Sequence, residues 1–477
     1  MVFSSMLFVF LFLTANLLTQ LLLQDAKTKN ICMLAFSLVF YSWAGVRYLP
    51  LLLGMALVCW AGALLVDGCA SAAGKRCWMA VAVTVCLIIL GIFKYTGFLV
   101  GTVRGLFNVP GFIPNIVLPI GISFYTFQLI SYVVDVYRGE VAAQKKYWVL
   151  LLYASLFHQC IAGPIVRYRD VEQDIIRRRT TLREGSAGVT RFAVGLAKKA
   201  VLANGCAVVA DQLLVGNAQA LAAVPAMGIL LGVFAYSLQI YLDFSAYSDM
   251  AIGMGLMCGF HYKENFNYPY MSGSISEFWR RWHISLGSFF RDYVYIPLGG
   301  NRCGRPRQLF NLGVVWFLTG MWHGASWNFI LWGLFFGVLI ALERFVLADR
   351  LQTVPAAVRH GGVLLLVMFS WMIFKFTDMA LLGTAIKGLF GLNHNGFTSA
   401  SVGLLFKNNV FFLIFASIAT TPLGRNLRQG LDKLGRTNGA AYALSSVWEI
   451  LCPVGLLVLS AMALVGDSYN PFLYFQF

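Results

Sequence analysis

Apolar runs of helix-spanning length follow one another along this chain, separated by short polar breaks. About 20 apolar residues are needed to cross a hydrocarbon core as an α-helix. On that rule the pattern predicts helices near 4–23, 31–45, 48–67, 78–101, 115–137, 147–165, 193–214, 225–242, 246–261, 309–322, 325–347, 361–377, 403–421 and 444–465. Some of these are too short or too polar to cross alone. Roughly 10 to 12 are expected to be full crossings, with the rest half-spans, re-entrant pieces or interfacial helices. The expected fold class is therefore all-α, a polytopic membrane protein. The first run, MVFSSMLFVFLFLTANLLTQLLLQD, lacks the basic region and small-residue cleavage site of a removable signal peptide, and is expected to stay as a first span.

Three stretches break the pattern. In NVPGFIPNIVLPIGIS, Pro110, Pro114 and Pro119 interrupt an apolar run. Proline removes an amide donor, so such backbone at membrane depth needs protein or water around it. The second stretch, IVRYRDVEQDIIRRRTTLREG, holds Arg167, Arg169, Arg177, Arg178, Arg179 and Arg183 and is expected to be a cytoplasmic loop with an interfacial helix. The third runs from Glu264 to Arg307. Within it, Phe278, Trp282, Ser285 and Phe289 recur at helical spacing, as do Trp279, His283 and Leu286. Ser274 and Glu277 form an S-x-x-E capping box at the start. The pattern predicts one amphipathic helix, rich in Trp and Arg, at a membrane boundary.

Composition agrees with the pattern. Of 477 residues, 59% are hydrophobic and 12% charged, and the mean hydropathy is +0.73. Soluble domains carry about a quarter charged residues. The longest polar-rich stretch, Arg167 to Arg191, falls short of the ~50 residues of an independent domain. Chemistry must then sit in the membrane or on short loops. The formal net charge of +16 is spread between apolar spans. That distribution fits cytoplasmic loops and anionic headgroups, and argues against nucleic acid. The ten cysteines form no C-x-x-C pair. Cys59, Cys86, Cys160, Cys206 and Cys258 lie in apolar stretches and read as small buried hydrophobes.

Six histidines remain to be weighed. His360 and His394 sit in loop-like sequence, His261 closes a span, and His158 precedes a Gly163-Pro164 break. His323 lies in a run without a charged residue from Phe310 to Leu342. If that run is one helix, Trp316, Gly320, His323 and Trp327 share a face. An ionisable group in such a setting marks a functional site, or else a core histidine bonded to a carbonyl. His283 could fold against His323, and two imidazoles meeting at depth suit proton abstraction and substrate orientation. No H-E-x-x-H or carboxylate-rich partner suggests a metal site. Asp135, Asp243 and Asp249 interrupt apolar helices and must be paired, with an arginine as the expected partner, or face substrate. The loop GGNRCGRPR either cradles phosphates or forms a basic turn.

The segments LPIGISFYTFQLISYVVDVYRGE, IAGPIVRY, DFSAYSDMAIGMGLMCGF, ENFNYPYMSGSISEFWRRWHISLGSFFRDYVYIPLGGNR, TGMWHGASWNFILWGLFFG and PFLYFQF resemble the membrane-bound O-acyltransferase (MBOAT) family, and within it the branch that O-acetylates alginate. The resemblance implies a helical ring around a tunnel in which two histidines meet. It divides the chain into N-terminal helices (1–104), a catalytic core (105–347) and C-terminal helices (348–477). The family's near-invariant histidine corresponds to His323 and its second one to His283, with Trp282, Trp322, Ser326 and Asn328 as wall residues. Acetyl-CoA is the implied donor, its phosphates near Arg280, Arg281 and Arg302, with no tightly bound cofactor and no metal. The implied acceptor is an exported polysaccharide such as alginate or cellulose, reached with a periplasmic or extracellular transferase partner from a bacterial inner membrane. Two alternatives stay open: D-alanyl transfer to teichoic acid from a carrier protein, and a non-enzymatic transporter. His158-Gln159 departs from the family pattern, and residues 350–443 match none of its motifs.

Overall fold

The computed structural model describes residues 3–108, 110–114, 116–161, 163–466 and 471–473, and among them every regular element is a helix. Among the described residues, eight helices are long and apolar enough to cross a membrane: Val46–Gly68, Ala72–Phe107, Leu182–Leu213, Ala226–Cys258, Trp327–Phe345, Ala356–Lys375, Ala400–Ala419 and Gly439–Val465. Shorter apolar helices, Leu7–Leu22 and Met379–Leu389, accompany them. The polar breaks supply the caps that start these helices. Asp25 Oδ1 accepts from the Thr28 amide at 2.8 Å, and Ser71 Oγ accepts from the Gly74 amide at 3.0 Å.

Several predicted boundaries move, for identifiable reasons. The runs 225–242 and 246–261 form one helix, Ala226–Cys258, because Asp243 between them and Asp249 in the second are paired and do not end the helix. The run 115–137 is helical only from Ile122, after Gly121 turns the chain with φ +76°. A Cβ at Gly121 would lie 2.4 Å from the Cys160 carbonyl oxygen, so the close approach itself requires glycine. The run 147–165 is helical only over Tyr147–Ser155. The arginine-rich break holds a short helix, Tyr168–Ile176, and the start of Leu182–Leu213. Residues 474–477 of PFLYFQF lie outside the described residues.

The largest correction concerns the amphipathic segment. It is two short helices, Ile275–Arg281 and Ile284–Phe290, broken at His283, whose φ of +45° is left-handed. The cap is as expected on one side, with Ser274 Oγ accepting from the Glu277 amide at 3.0 Å. Glu277 reaches back to the Gly273 amide at 2.9 Å, one residue before the box residue. The helices expected at 309–322 and 325–347 are present as Arg305–His323 and Trp327–Phe345, so Trp327 starts the second and does not share a helix face with His323.

The described helices form two compact units. One comprises Met1–Phe192 and Tyr247–Glu264. Its buried charges are closed by partners. Arg191 binds Asp249 at 2.7 Å and Glu264 at 2.6 Å. Arg178 donates to the Cys258 carbonyl, Asn30 and Gln20 at 2.7, 3.0 and 2.9 Å. Asp135 faces Arg169 at 4.0 Å, and the His158 ring bonds the Tyr262 hydroxyl at 2.6 Å.

The other unit comprises Ala193–Ala246 and Asn265–Phe477. Its core is aromatic, with Trp282, Trp332 and Trp371 fully buried. Lipid tails are as apolar as leucine, so ring packing and not water exclusion holds such helices together. The helices Arg305–His323 and Trp327–Phe345 meet backbone to backbone. A Cβ at Gly333 would lie 2.3 Å from the Trp316 carbonyl, and one at Gly320 the same distance from that of Phe329. All five cysteines expected to be buried are buried, and none of the other five is. Asp243 pairs with a lysine, Lys199, at 2.7 Å and not with an arginine.

Candidate active site

His323 is the last residue of its helix, and the chain leaves through extended Gly324 to Ser326, the cap position of the next helix. The imidazole is buried, and rings surround it: Trp322 and Trp332 with centroids at 4.9 Å, and Phe374 at 5.3 Å. The close crossing at Gly320 and Gly333 brings Trp332 there. Asn328 holds Phe374 in place, donating to the carbonyls of Ile373 and Phe374 at 3.2 and 3.1 Å.

His283 occupies the break between the two short helices. Left-handed backbone at a non-glycine residue costs about 1–3 kcal/mol and persists only where the surroundings over-determine it. Here Asn265 does so. Its backbone carbonyl accepts from the Ile284 amide at 2.9 Å, and its side-chain Oδ1 accepts from the Ser285 amide at 3.0 Å and the Ser285 hydroxyl at 2.8 Å. The same Oδ1 lies 3.3 Å from His283 Nδ1. An amide oxygen only accepts, so Nδ1 carries the proton and Nε2 of the neutral ring is an acceptor. Nε2 has no hydrogen-bond partner among the described residues. Burial lowers the pKa of His283 to about 3, so the ring stays neutral at ordinary pH.

Trp322 joins the two histidines, its ring 5.4 Å from His283 and 4.9 Å from His323. Both imidazoles thus border one indole, although they come from separate elements. Phe244 adds an edge-to-face contact to His283 at 4.8 Å.

A cavity of about 570 Å³ lies against both histidine-bearing elements. That volume is within the ~300–1,000 Å³ of ligand pockets. Ile284 and Leu286, which follow His283, line it, as do Trp316 and Thr319 from the helix of His323. Arg280, Arg291 and Arg344 add three cations to the wall. Trp279 also lines the cavity, and its ring lies 5.6 Å from Trp332, which borders His323. An apolar wall with a cationic rim suits a ligand with an anionic head and a neutral reactive tail. Among the described residues no three His, Cys, Asp or Glu side chains converge as metal ligands.

The expected site residues therefore sort by position. His283, His323 and Trp322 come together, with Asn328 bracing the wall. Trp282 packs one layer away, at 4.8 Å from Trp371. Ser326 is half-buried, 3.4 Å from the Thr377 carbonyl. Of the three expected phosphate ligands only Arg280 lines the cavity. Arg281 is bound by Glu277 at 2.7 Å, and Arg302 is exposed. Sequence reasoning missed Asn265, Arg291, Arg344, Trp332 and Phe374. Asn265 stood within the quoted segment that carries His283. Phe374 belongs to the 350–443 stretch, which showed no motif, and only packing reveals it.

The family signature described as MBOAT, membrane-bound O-acyltransferase family, matches residues 142–386. The chain is 36% identical to the "probable alginate O-acetylase AlgI" of Azotobacter vinelandii, with 100% of both chains covered. It is 34% identical to a peptidoglycan O-acetyltransferase of Helicobacter pylori over 82% of this chain and 80% of that one. It is 29% identical to a teichoic acid D-alanyltransferase of Bacillus subtilis over 48% of this chain and 60% of that one.

Proposed function

The chain belongs to the membrane-bound O-acyltransferase family and is a multi-pass membrane O-acyltransferase; from that premise we propose that it takes an acetyl group from cytoplasmic acetyl-CoA and passes it across a bacterial inner membrane for O-acetylation of an exported polysaccharide. The observation that carries this reading is the pairing of His283 and His323 across Trp322, beside a cavity rimmed by Arg280, Arg291 and Arg344. Similarity over the full chain to alginate O-acetylases supports acetyl as the group and a polysaccharide as the acceptor.

In this mechanism the donor's phosphates lie at the arginine rim and its thioester reaches toward the histidines. His323 is the general base. It takes the proton of an acceptor hydroxyl, and the oxygen attacks the thioester carbonyl. The tetrahedral intermediate then collapses, the C–S bond breaks, and the departing thiolate takes the proton from His323. His283, neutral and with Nε2 as an acceptor, orients the attacking hydroxyl, and nearby backbone amides face the developing oxyanion. Loss of one oxyanion donor costs ~10²–10³ in rate, and loss of a general base ~10²–10⁴. A separate periplasmic or extracellular transferase completes delivery to the glycan.

A second reading, D-alanyl transfer from a carrier protein, is favoured by the partial match to teichoic acid D-alanyltransferases. Membranes supplied with radiolabelled acetyl-CoA and surface glycan test the first reading. Label in glycan that disappears with His323→Ala supports it. Label that appears only from a carrier-bound D-alanyl donor replaces it with the second.

A further inference from the structure

The mechanism leaves one buried ion pair unused. Lys199 and Asp243 are each 2% exposed and meet at 2.7 Å. Their remaining capacity goes to the main chain of the C-terminal residues 471–473. Lys199 Nζ donates to the Pro471 carbonyl at 3.1 Å, and Asp243 Oδ2 accepts from the Leu473 amide at 2.8 Å. Between these contacts the Phe472 ring sits 4.9 Å from Lys199 Nζ, and Phe472 is itself buried. The pair thus grips a short segment by backbone, far away in sequence.

A buried ion pair is often no more stabilising than apolar residues of the same volume. Charges inside a membrane protein are costly and tend to serve function. What this pair adds, beyond its own closure, is a fixed position for the turn of helix around Asp243. Phe244, the next residue, packs edge-to-face on His283 at 4.8 Å. Ser245, after that, accepts from Lys198 at 3.4 Å. Lys198 and Lys199 open a π-helical turn, Lys198–Ala203, a local distortion that recurs at functional sites. His283 needs outside support, because its left-handed backbone is held only by its surroundings.

We propose that Lys199, Asp243 and the C-terminal segment 471–473 form a strap that positions His283 through Phe244. Lys199 and Asp243 are positioning residues, since neither touches the imidazole. The inference rests on the acyl-transfer reading for its activity measurement alone.

Two variants remove the strap in different ways: a chain ending at Asn470, which leaves the ion pair in place, and Lys199→Met/Asp243→Leu, which replaces the pair by apolar side chains. Hydrogen exchange of the C-terminal peptide reads the strap directly. The Leu473 amide is expected to exchange at least ~10-fold faster in the double variant than in the wild type. Equal exchange overturns the strap. In either strap variant kcat for acetyl transfer is expected to fall ~10–100-fold, the cost of a small misplacement, with donor KM within about two-fold. Against a Phe244→Leu background the same changes are expected to remove little further activity, because the route is already cut. An unchanged kcat, or the same fold-loss in the Phe244→Leu background, overturns the positioning role. If wild-type protein transfers no acetyl group, the proposed function fails, while the exchange measurement still decides whether the strap exists.

Discussion

Ionisable side chains in this molecule fall into two kinds of setting, pairs of opposite charge and imidazoles walled by rings. In the unit holding Met1–Phe192 and Tyr247–Glu264, two groups show charge met by charge. Arg191 lies between Asp249 and Glu264, and exposed His261 lies between Asp174 and Glu184, each at 3.1 Å. In the other unit, which also holds the closed Lys199–Asp243 pair, the histidines at 283 and 323 are walled by rings. A paired charge has its chemistry quenched by its partner. A neutral imidazole among indoles keeps an acceptor nitrogen and loses only solvation. The difference separates groups that hold the molecule together from groups that can move a proton.

Substitutions in the two settings have opposite expected consequences. His323→Ala is expected to cut acetyl transfer by ~10³-fold or more while the protein still accumulates in membranes. Arg191→Met is expected to do the reverse. It removes the guanidinium that Asp249 and exposed Glu264 share and costs up to about 3–5 kcal/mol of stability, with kcat per folded molecule unchanged. Thermal unfolding in detergent, beside turnover, checks both. A stable but inactive Arg191→Met variant would erase the distinction.

Smaller effects sharpen it. Asn265→Ala removes the acceptor that orients His283, and a kcat loss of ~10–100-fold with unchanged donor KM is expected from steady-state kinetics. Arg344→Ala is expected to raise donor KM by about ten-fold, the value of one charged hydrogen bond, with little change in kcat. Equal KM values for Arg344→Ala and wild type would remove the arginine rim from the account.

The two histidine settings also predict opposite pH dependence. Burial lowers the pKa of His283, so the unfolded chain binds the proton more readily. Its contribution is present above about pH 6.5 and is lost as pH falls toward about 3. For His261, burial lowers the pKa, but the bonds to Glu184 and Asp174 outweigh it and raise it. That contribution is present below the unfolded value and is lost as pH rises through the folded one. It is expected to be below ~1 kcal/mol because the ring is half exposed. Melting curves of His283→Phe and His261→Ala against pH read both signs. Matching slopes for the two variants would contradict the comparison.

How much of this was legible in the sequence differs by kind of feature. Apolar length gave nearly every long helix, because crossing a membrane constrains composition directly. The two histidines were legible as ionisable residues in apolar or tryptophan-rich surroundings. The break at His283 was not, because Phe278, Trp282 and Phe289 keep helical spacing straight through it, and Asn265 sets the kink from a different segment. Asp243 looked like a boundary between two spans, and Asp249 like an interruption of the second. Their partners, Lys199 and Arg191, lie far away in sequence, so pairing was invisible until the chain was folded. Phe374 and Arg344 entered the site for the same reason, through packing that no local pattern encodes.

The most direct test supplies membranes containing wild-type, His323→Ala or Arg191→Met protein with radiolabelled acetyl-CoA and surface glycan, and counts label in glycan per folded molecule. Label is expected from wild type and from whatever Arg191→Met protein folds, and at least ~10³-fold less from His323→Ala. Equal labelling by His323→Ala and wild type would contradict that expectation.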